Sequence, residues 1–195
     1  MASLKLVFVA FLACWLASSI YGVQLIRAGN LSCNEKQQIL NQHNKLRQSV
    51  ALGQVRGQPP AANMRELVWD EELASIAQNW ANRGVIQHNT PRSGRFPVGE
   101  NIAATWTFQN PSPSGSTPDF NKVINDWFVE SSAFPGSGVS SYHFDRTTGH
   151  YTQIAWATTT YLGCGYSYYY DTQKGYTKFY VCNYGPAEHN WRKDL

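Results

Sequence analysis

The chain has 195 residues, with 16 Lys and Arg against 13 Asp and Glu and a formal charge of +3. The basic residues are scattered, with no run or stripe, so no nucleic-acid partner is expected. The length suits one domain with a sizeable core, and no repeat or second domain is legible.

Residues 1–22 read as a secretory signal peptide: Lys5 gives the positive start, Leu6 to Leu16 the apolar run, and Ala17 to Gly22 the small-residue end. The run is too short to span a bilayer and no later segment is apolar enough, so no transmembrane segment is expected. Cleavage after Gly22 fits the small-residue pattern, with Ser19 and Ala17 as alternatives. Residues 23–195 then form a single secreted, extracellular domain. Cys14 leaves with the signal, and Cys33, Cys164 and Cys182 remain. An odd count in an oxidising compartment leaves one thiol free or intermolecular.

Asn30-Leu31-Ser32 is an N-x-S sequon in an exposed lead-in, which makes Asn30 a glycosylation candidate. Ser32 and Glu35 have capping-box spacing, so a helix should begin near Cys33, with Ile39, His43, Leu46 and Val50 repeating on one face up to Gly53. A second helix follows Asp70 as N-cap, with Leu73, Ile76, Ala77 and Trp80 on one face and Gly84 as its stop. Residues 84–99 read as a surface loop holding His88, and Val98 to Ala104 as a short buried segment carrying Glu100.

After a Pro/Ser/Gly linker at 110–118, Thr117 should cap a third helix, with Pro118 at its first position. Its apolar stripe is Phe120, Val123, Ile124, Trp127 and Phe128. Glu130 stands seven residues after Val123 and falls on that stripe, where a carboxylate is costly unless paired or bound. A fourth helix opens at Gly149-His150-Tyr151, capped by Thr147 or Thr148. His150 is there either as a bonded core residue or as part of a site.

Tyr161–Tyr170 and Tyr176–Tyr184 read as a hairpin around Asp171-Thr172-Gln173-Lys174-Gly175. A turn centred on Gln173 sets Cys164 directly opposite Cys182, close enough for a disulfide. Cys33 is left over, which predicts a monomer or a Cys33-linked dimer.

Gly149 to Trp156, and Tyr180-Val181-Cys182-Asn183-Tyr184-Gly185-Pro186, resemble the two signature stretches of the CAP superfamily of cysteine-rich secretory, antigen 5 and pathogenesis-related proteins. His43 to Arg47, Asn63-Met64 and Leu67-Val68-Trp69 resemble further blocks, so the likeness runs from about Ser32 to Pro186. It is strongest to invertebrate venom and salivary antigen 5 proteins. It implies an α+β fold, a three-layer α-β-α sandwich with a small antiparallel sheet.

The resemblance also implies a pocket of His88, Glu100, Glu130 and His150. His88 and His150 would be its metal ligands, for zinc or another divalent cation, with the carboxylates orienting water or imidazole. The other reading of these four residues is an inert hydrogen-bonded network. Three departures stand out. The second signature decays after Pro186, antigen 5 cysteines are missing near Gly84 and Pro91, and no cysteine-rich C-terminal domain follows. The ending Arg192-Lys193-Asp194-Leu195 is not a retrieval signal, which favours export.

The leading expectation is a secreted, non-enzymatic protein that binds a host protein or a small hydrophobic ligand. The alternatives are a metal-dependent or Ser-assisted protease using the His/Glu set with Ser131, and a sterol or fatty-acid carrier. No H-E-x-x-H or G-x-S-x-G motif supports hydrolysis, and adjacent helical residues such as Glu130 and Ser131 diverge by about 100°. No catalytic residue is therefore assigned.

Overall fold

A computed structural model describes residues 23–90, 93–109 and 115–187. The expected signal segment and the tail after Ala187 lie outside those residues. The centre of the structure is the expected hairpin, β4 (Tyr161–Asp171) and β5 (Gly175–Gly185). Asp171 closes its turn by accepting from the amides of Gln173 and Lys174, and Gly175 takes φ +82°. β3 (Gly99–Thr107) lies along β5, and β1 (Val23–Arg27) along the far side of β4, both antiparallel. The two-residue β2 (Val68–Trp69) runs parallel to the start of β4. The reading in chain order did not anticipate β1 or the parallel pairing.

Cys164 and Cys182 face each other in the ladder and are disulfide-bonded, with Cα atoms 4.1 Å apart. Cys33 is free and exposed. Asn30 is exposed beside it, ahead of Ser32, whose side chain completes the capping box with Glu35. No helix among the described residues is long and apolar enough to cross a membrane.

Helices cover both faces of the sheet, which gives the three-layer α-β-α arrangement. On one face α2 (Glu71–Ala81) packs Ala77, Trp80 and Ala81 against Tyr169, Phe179 and Val181. It lies very close to β4 because Gly163 and Gly165 carry no side chain. A Cβ on either would come within 2.1 and 2.3 Å of the backbone nitrogens of Ala74 and Gln78. The Gln78 carboxamide then accepts from Tyr166 N and donates to Tyr166 O, standing in for a neighbouring strand.

The other face carries α1 (Cys33–Ala51), α3 (Phe120–Val129) and α4 (Gly149–Ala155), with Ile39, Ile124, Trp127 and Ile154 buried over Leu162, Tyr180 and Tyr184. Two capping expectations change. Asp119 caps α3 in place of Thr117, because its carboxylate reaches the Lys122 amide at 3.0 Å. Thr148 is the N-cap residue of α4, but its side chain makes no capping bond.

The buried face of α1 also differs from the apolar repeat. Its buried residues are Ile39, His43, Arg47 and Val50, while Leu46 is only half-buried. Arg47 is 1% exposed, and no carboxylate pairs with it among the described residues. Its guanidinium donates to five carbonyl oxygens instead, those of Arg65, Ile154, Trp156, Ala157 and Thr159. Burial brings the group down to about 10, so it stays charged at neutral pH.

Arg47→Met, similar in length but without donors, strands those carbonyls. It should lower stability by more than about 3 kcal/mol in urea titrations, with Arg47→Lys recovering only part because an ammonium has three donors. In the native protein, a maleimide should label Cys33 alone, and non-reducing peptide mapping should recover Cys164 linked to Cys182.

Candidate functional site

The four expected pocket residues form two His–Glu pairs. His88, in the loop after α2, donates from Nδ1 to Glu100 Oε1 at 2.9 Å, and the Asn89 amide donates to the same oxygen. Glu100 is the second residue of β3, and its side chain is fully buried. His150, in the first turn of α4, donates from Nδ1 to Glu130 Oε1 at 2.7 Å. A carboxylate only accepts, so each Nδ1 carries a proton, which in the neutral form of an imidazole puts the lone pair at Nε2.

Glu130 does more than hold a ring. α3 ends at Val129, and Glu130 opens a 3-10 turn, Glu130–Ser132, so it is not within the helix as expected. It still points off the covered side of α3, and its Oε2 accepts the backbone amides of His150 and Tyr151 at 2.9 and 3.1 Å. Those are the second and third residues of α4, whose amides have no partner inside the helix. A carboxylate from another element therefore does the capping that Thr147 or Thr148 was expected to do, and the helix dipole favours its charge.

Trp127 supports the His150 ring from below, stacked at 5.7 Å and 21°. The His150 carbonyl accepts from Asn101 Nδ2 at 3.1 Å, and the same amide donates to Tyr184 Oη at 3.3 Å. Tyr184 then donates to His43 Nε2, because His43 Nδ1 is committed to the Ile39 carbonyl. Burial, with a smaller push from nearby Arg47, holds His43 down at about 4, and burial raises the Tyr184 phenol. This chain runs from α1 through β5 and β3 to the site.

Asn101, Tyr184, His43 and Trp127 were not read as site residues. Tyr184 lies inside the second quoted signature stretch and His43 opens one of the further family blocks, while Asn101 stood beside Glu100 in the short buried segment and Trp127 was legible only as a member of an apolar stripe. Along β3 the faces alternate: Glu100 pairs with Asn183, which donates to the Leu73 carbonyl of α2, whereas Asn101 faces α4. The two His–Glu pairs thus flank the beginning of β3. No group of three or more His, Cys, Asp or Glu placed to hold a metal ion occurs among the described residues. Ser131 offers its carbonyl to Gln58, and its hydroxyl meets no histidine among the described residues.

The profile of the cysteine-rich secretory protein family, CAP, matches residues 40–184. The chain belongs to the CAP family. It is 45% identical over 163 residues to venom allergen 3 of Solenopsis invicta, covering 78% of this chain and 68% of that protein. It is 40% identical over 185 residues to venom allergen 5.01 of Dolichovespula maculata, covering 89% and 77%. The solved structure of Schistosoma mansoni venom allergen-like protein 4 superposes with a TM-score of 0.62 at 28% identity, covering 82% of this chain and 92% of that one. The antiparallel sheet between helices described above is thus that of the CAP fold.

His43 gives this CAP domain an acid-sensitive core. The unfolded imidazole titrates near 6.5 and the folded one near 4, so between those values the unfolded chain binds more protons. The contribution is full above pH 6.5, erodes as pH falls and is gone below about 4, a loss of about 3 kcal/mol. Urea midpoints at pH 7 and pH 4.5 should show this loss in the wild type. His43→Gln, less stable at pH 7, should show a flatter profile across the same window.

Proposed function

We propose that this CAP domain is a secreted, non-enzymatic binding protein of the venom allergen type, whose His88–Glu100 and His150–Glu130 pairs take up a divalent, zinc-like cation. The observation that carries this reading is the bonding of Glu130. Its two oxygens accept three N–H groups, one imidazole and two backbone amides. A general base must have a lone pair within reach of a substrate proton, whereas this carboxylate is spent on holding a ring and a helix in place. Orienting an imidazole through Nδ1 so that Nε2 faces outward is what a carboxylate does behind a metal-binding histidine. With two imidazoles as protein ligands, water would complete the cation's shell.

Secretion is supported by the signal-like first 22 residues and by a disulfide of the kind that persists in oxidising compartments. The relatives are named venom allergens, which supports a binding target in a host organism.

Zinc calorimetry on the secreted protein, beside a peptide-library cleavage assay, tests the proposal. Wild type should bind zinc and leave peptides intact. His150→Ala should abolish binding, His88→Ala should weaken it, and Glu130→Gln should weaken it less than His150→Ala. Affinity should fall on acidification, since a protonated imidazole cannot ligate. Unchanged zinc affinity in His150→Ala removes the cation site. Cleavage by wild type that is lost in Glu130→Gln replaces binding with catalysis.

A further inference from the structure

Two strands end the sheet, and they are built differently. β1 has five residues, a register shift between Leu25 and Arg27, and a charged last residue. Short length, a bulge and a charge are means by which natural sheet edges avoid pairing with other chains. β3 has nine residues in unbroken register with β5, and no strand lies on its outer side among the described residues. From Asn101 to Gln109 the chain carries no charge and no proline.

Only the start of β3 is covered. Gly99, Glu100 and Asn101 are buried, Ile102, Ala103 and Ala104 are half-buried, and Thr105 to Gln109 are exposed. Trp106 is 55% exposed, and Phe108, just past the end of the strand, 67%. By alternation along the strand, Trp106 stands on the same face as Ile102 and Ala104. Those two pack, with Ile86, against the cluster of Trp80, Phe179 and Val181 under α2. An apolar strip, half-buried and then exposed, thus runs along an unpaired edge, which is where soluble chains meet partners.

The strip is complementary to itself. In two antiparallel copies related by a two-fold axis at Thr105, Thr105 faces Thr105, Trp106 faces Ala104 and Thr107 faces Ala103. Phe108 comes level with Ile102. The large exposed ring of each copy therefore meets a small, half-buried residue of the other on the same face, and no charge meets a like charge. An axis at Ala104 would instead require Asn101, which is buried. The nearest charge is Lys178, which faces Thr105 from β5 and donates to the Thr117 carbonyl at 2.8 Å. Three strand spacings would separate it from its counterpart by about 14 Å, beyond the screening length of about 8 Å in physiological salt.

We propose that the outer edge of β3 is a self-association surface, on which a second copy of this chain pairs its own β3 antiparallel about an axis at Thr105. The sheet then runs through both copies, and each strand covers the other's exposed rings. Four rings, each more than half exposed, would remove roughly 400 Å² or more from water. With the paired strands this is an interface at the low end of specific association, under about 1,200 Å². The dimer is therefore weak, non-covalent and in exchange with monomer. It does not involve the His–Glu pairs. Nor does it involve Cys33, which lies toward the other edge, since Arg27 of β1 pairs with Glu35, in the same first turn of α1.

Sedimentation velocity in EDTA, from about 10 μM to about 1 mM protein, tests this. The wild type should shift from monomer toward dimer across that range, and Cys33→Ser should shift in the same way. Thr105→Lys and Thr105→Glu each set like charges face to face at the axis, and each should weaken association by about tenfold or more. Thr105 is exposed, so both variants should fold, which circular dichroism checks. An equimolar mixture of the two should restore association, because Lys then faces Glu, and a folding defect would not be repaired by mixing. Leu25→Lys, on the β1 edge, should leave the dimer unchanged. A wild type that stays monomeric at about 1 mM overturns the proposal. A dimer lost in Cys33→Ser or Leu25→Lys, or unchanged in both Thr105 variants, also overturns it. Failure of the mixture to associate does so as well, since the axis then does not pass through Thr105.

Discussion

A charged guanidinium sits in the middle of the helical layer, and the surrounding chain is arranged to satisfy it. Arg47 has no carboxylate partner among the described residues, so its charge is met by carbonyl dipoles from two segments distant in sequence. Four of the five oxygens belong to the end of α4 and the residues just after it. They have no helical amide to bond, and they lie at the negative end of the helix dipole. The fifth, from Arg65, ties the loop before β2 to the same point. Any rearrangement of α4 or that loop would leave a buried cation with too few acceptors, which is costly.

The opposite end of α4 is held by the opposite charge. Seven residues make a helix that is unstable by itself, because nucleation is unfavourable and few internal bonds form. Here Glu130 caps the first turn and Arg47 binds the last, so the dipole is matched at both ends by groups from other elements. His150 occupies the first turn, and the carboxylate that caps the helix is also the one that orients its ring. The candidate site is therefore built from the interactions that hold α4 in place. His88 and Glu100 lack this arrangement, being a loop residue joined to a strand residue near the other face.

A cavity lies behind α4 and follows from the same clamp. With α4 fixed at both ends, the loop at 58–64 lies over its exposed side, and Gln58 ties that loop to the carbonyls of Ser131 and Phe134. Tyr151, beside His150, turns toward the cavity and not toward Glu130, because neighbouring helical residues diverge by about 100°. One short helix thus presents a polar site on one side and an aromatic wall on another.

What could be read from the sequence was whatever depends on neighbours along the chain. The capping box at Ser32, the cap at Asp70 and the stop at Gly84 are local hydrogen-bond and φ requirements, and the structure has them where expected. The hairpin register, and with it the Cys164–Cys182 bond, followed from a short turn and a two-residue alternation. Glu130 and His150 each stood out by position, but their assembly with His88 and Glu100 into one set was legible only through resemblance, since nothing local joins His88 to Glu100 or Glu130 to His150. Tertiary structure decided the rest. Leu46 fits the apolar repeat of α1 better than Arg47 does, yet Arg47 is inside, because the carbonyls that stabilise it come from residues 65 and 154–159. Thr147 and Thr148 look like caps for α4, but a carboxylate delivered by the end of α3 is the stronger acceptor. A sequence shows which groups need partners, and the folded chain determines which distant groups supply them.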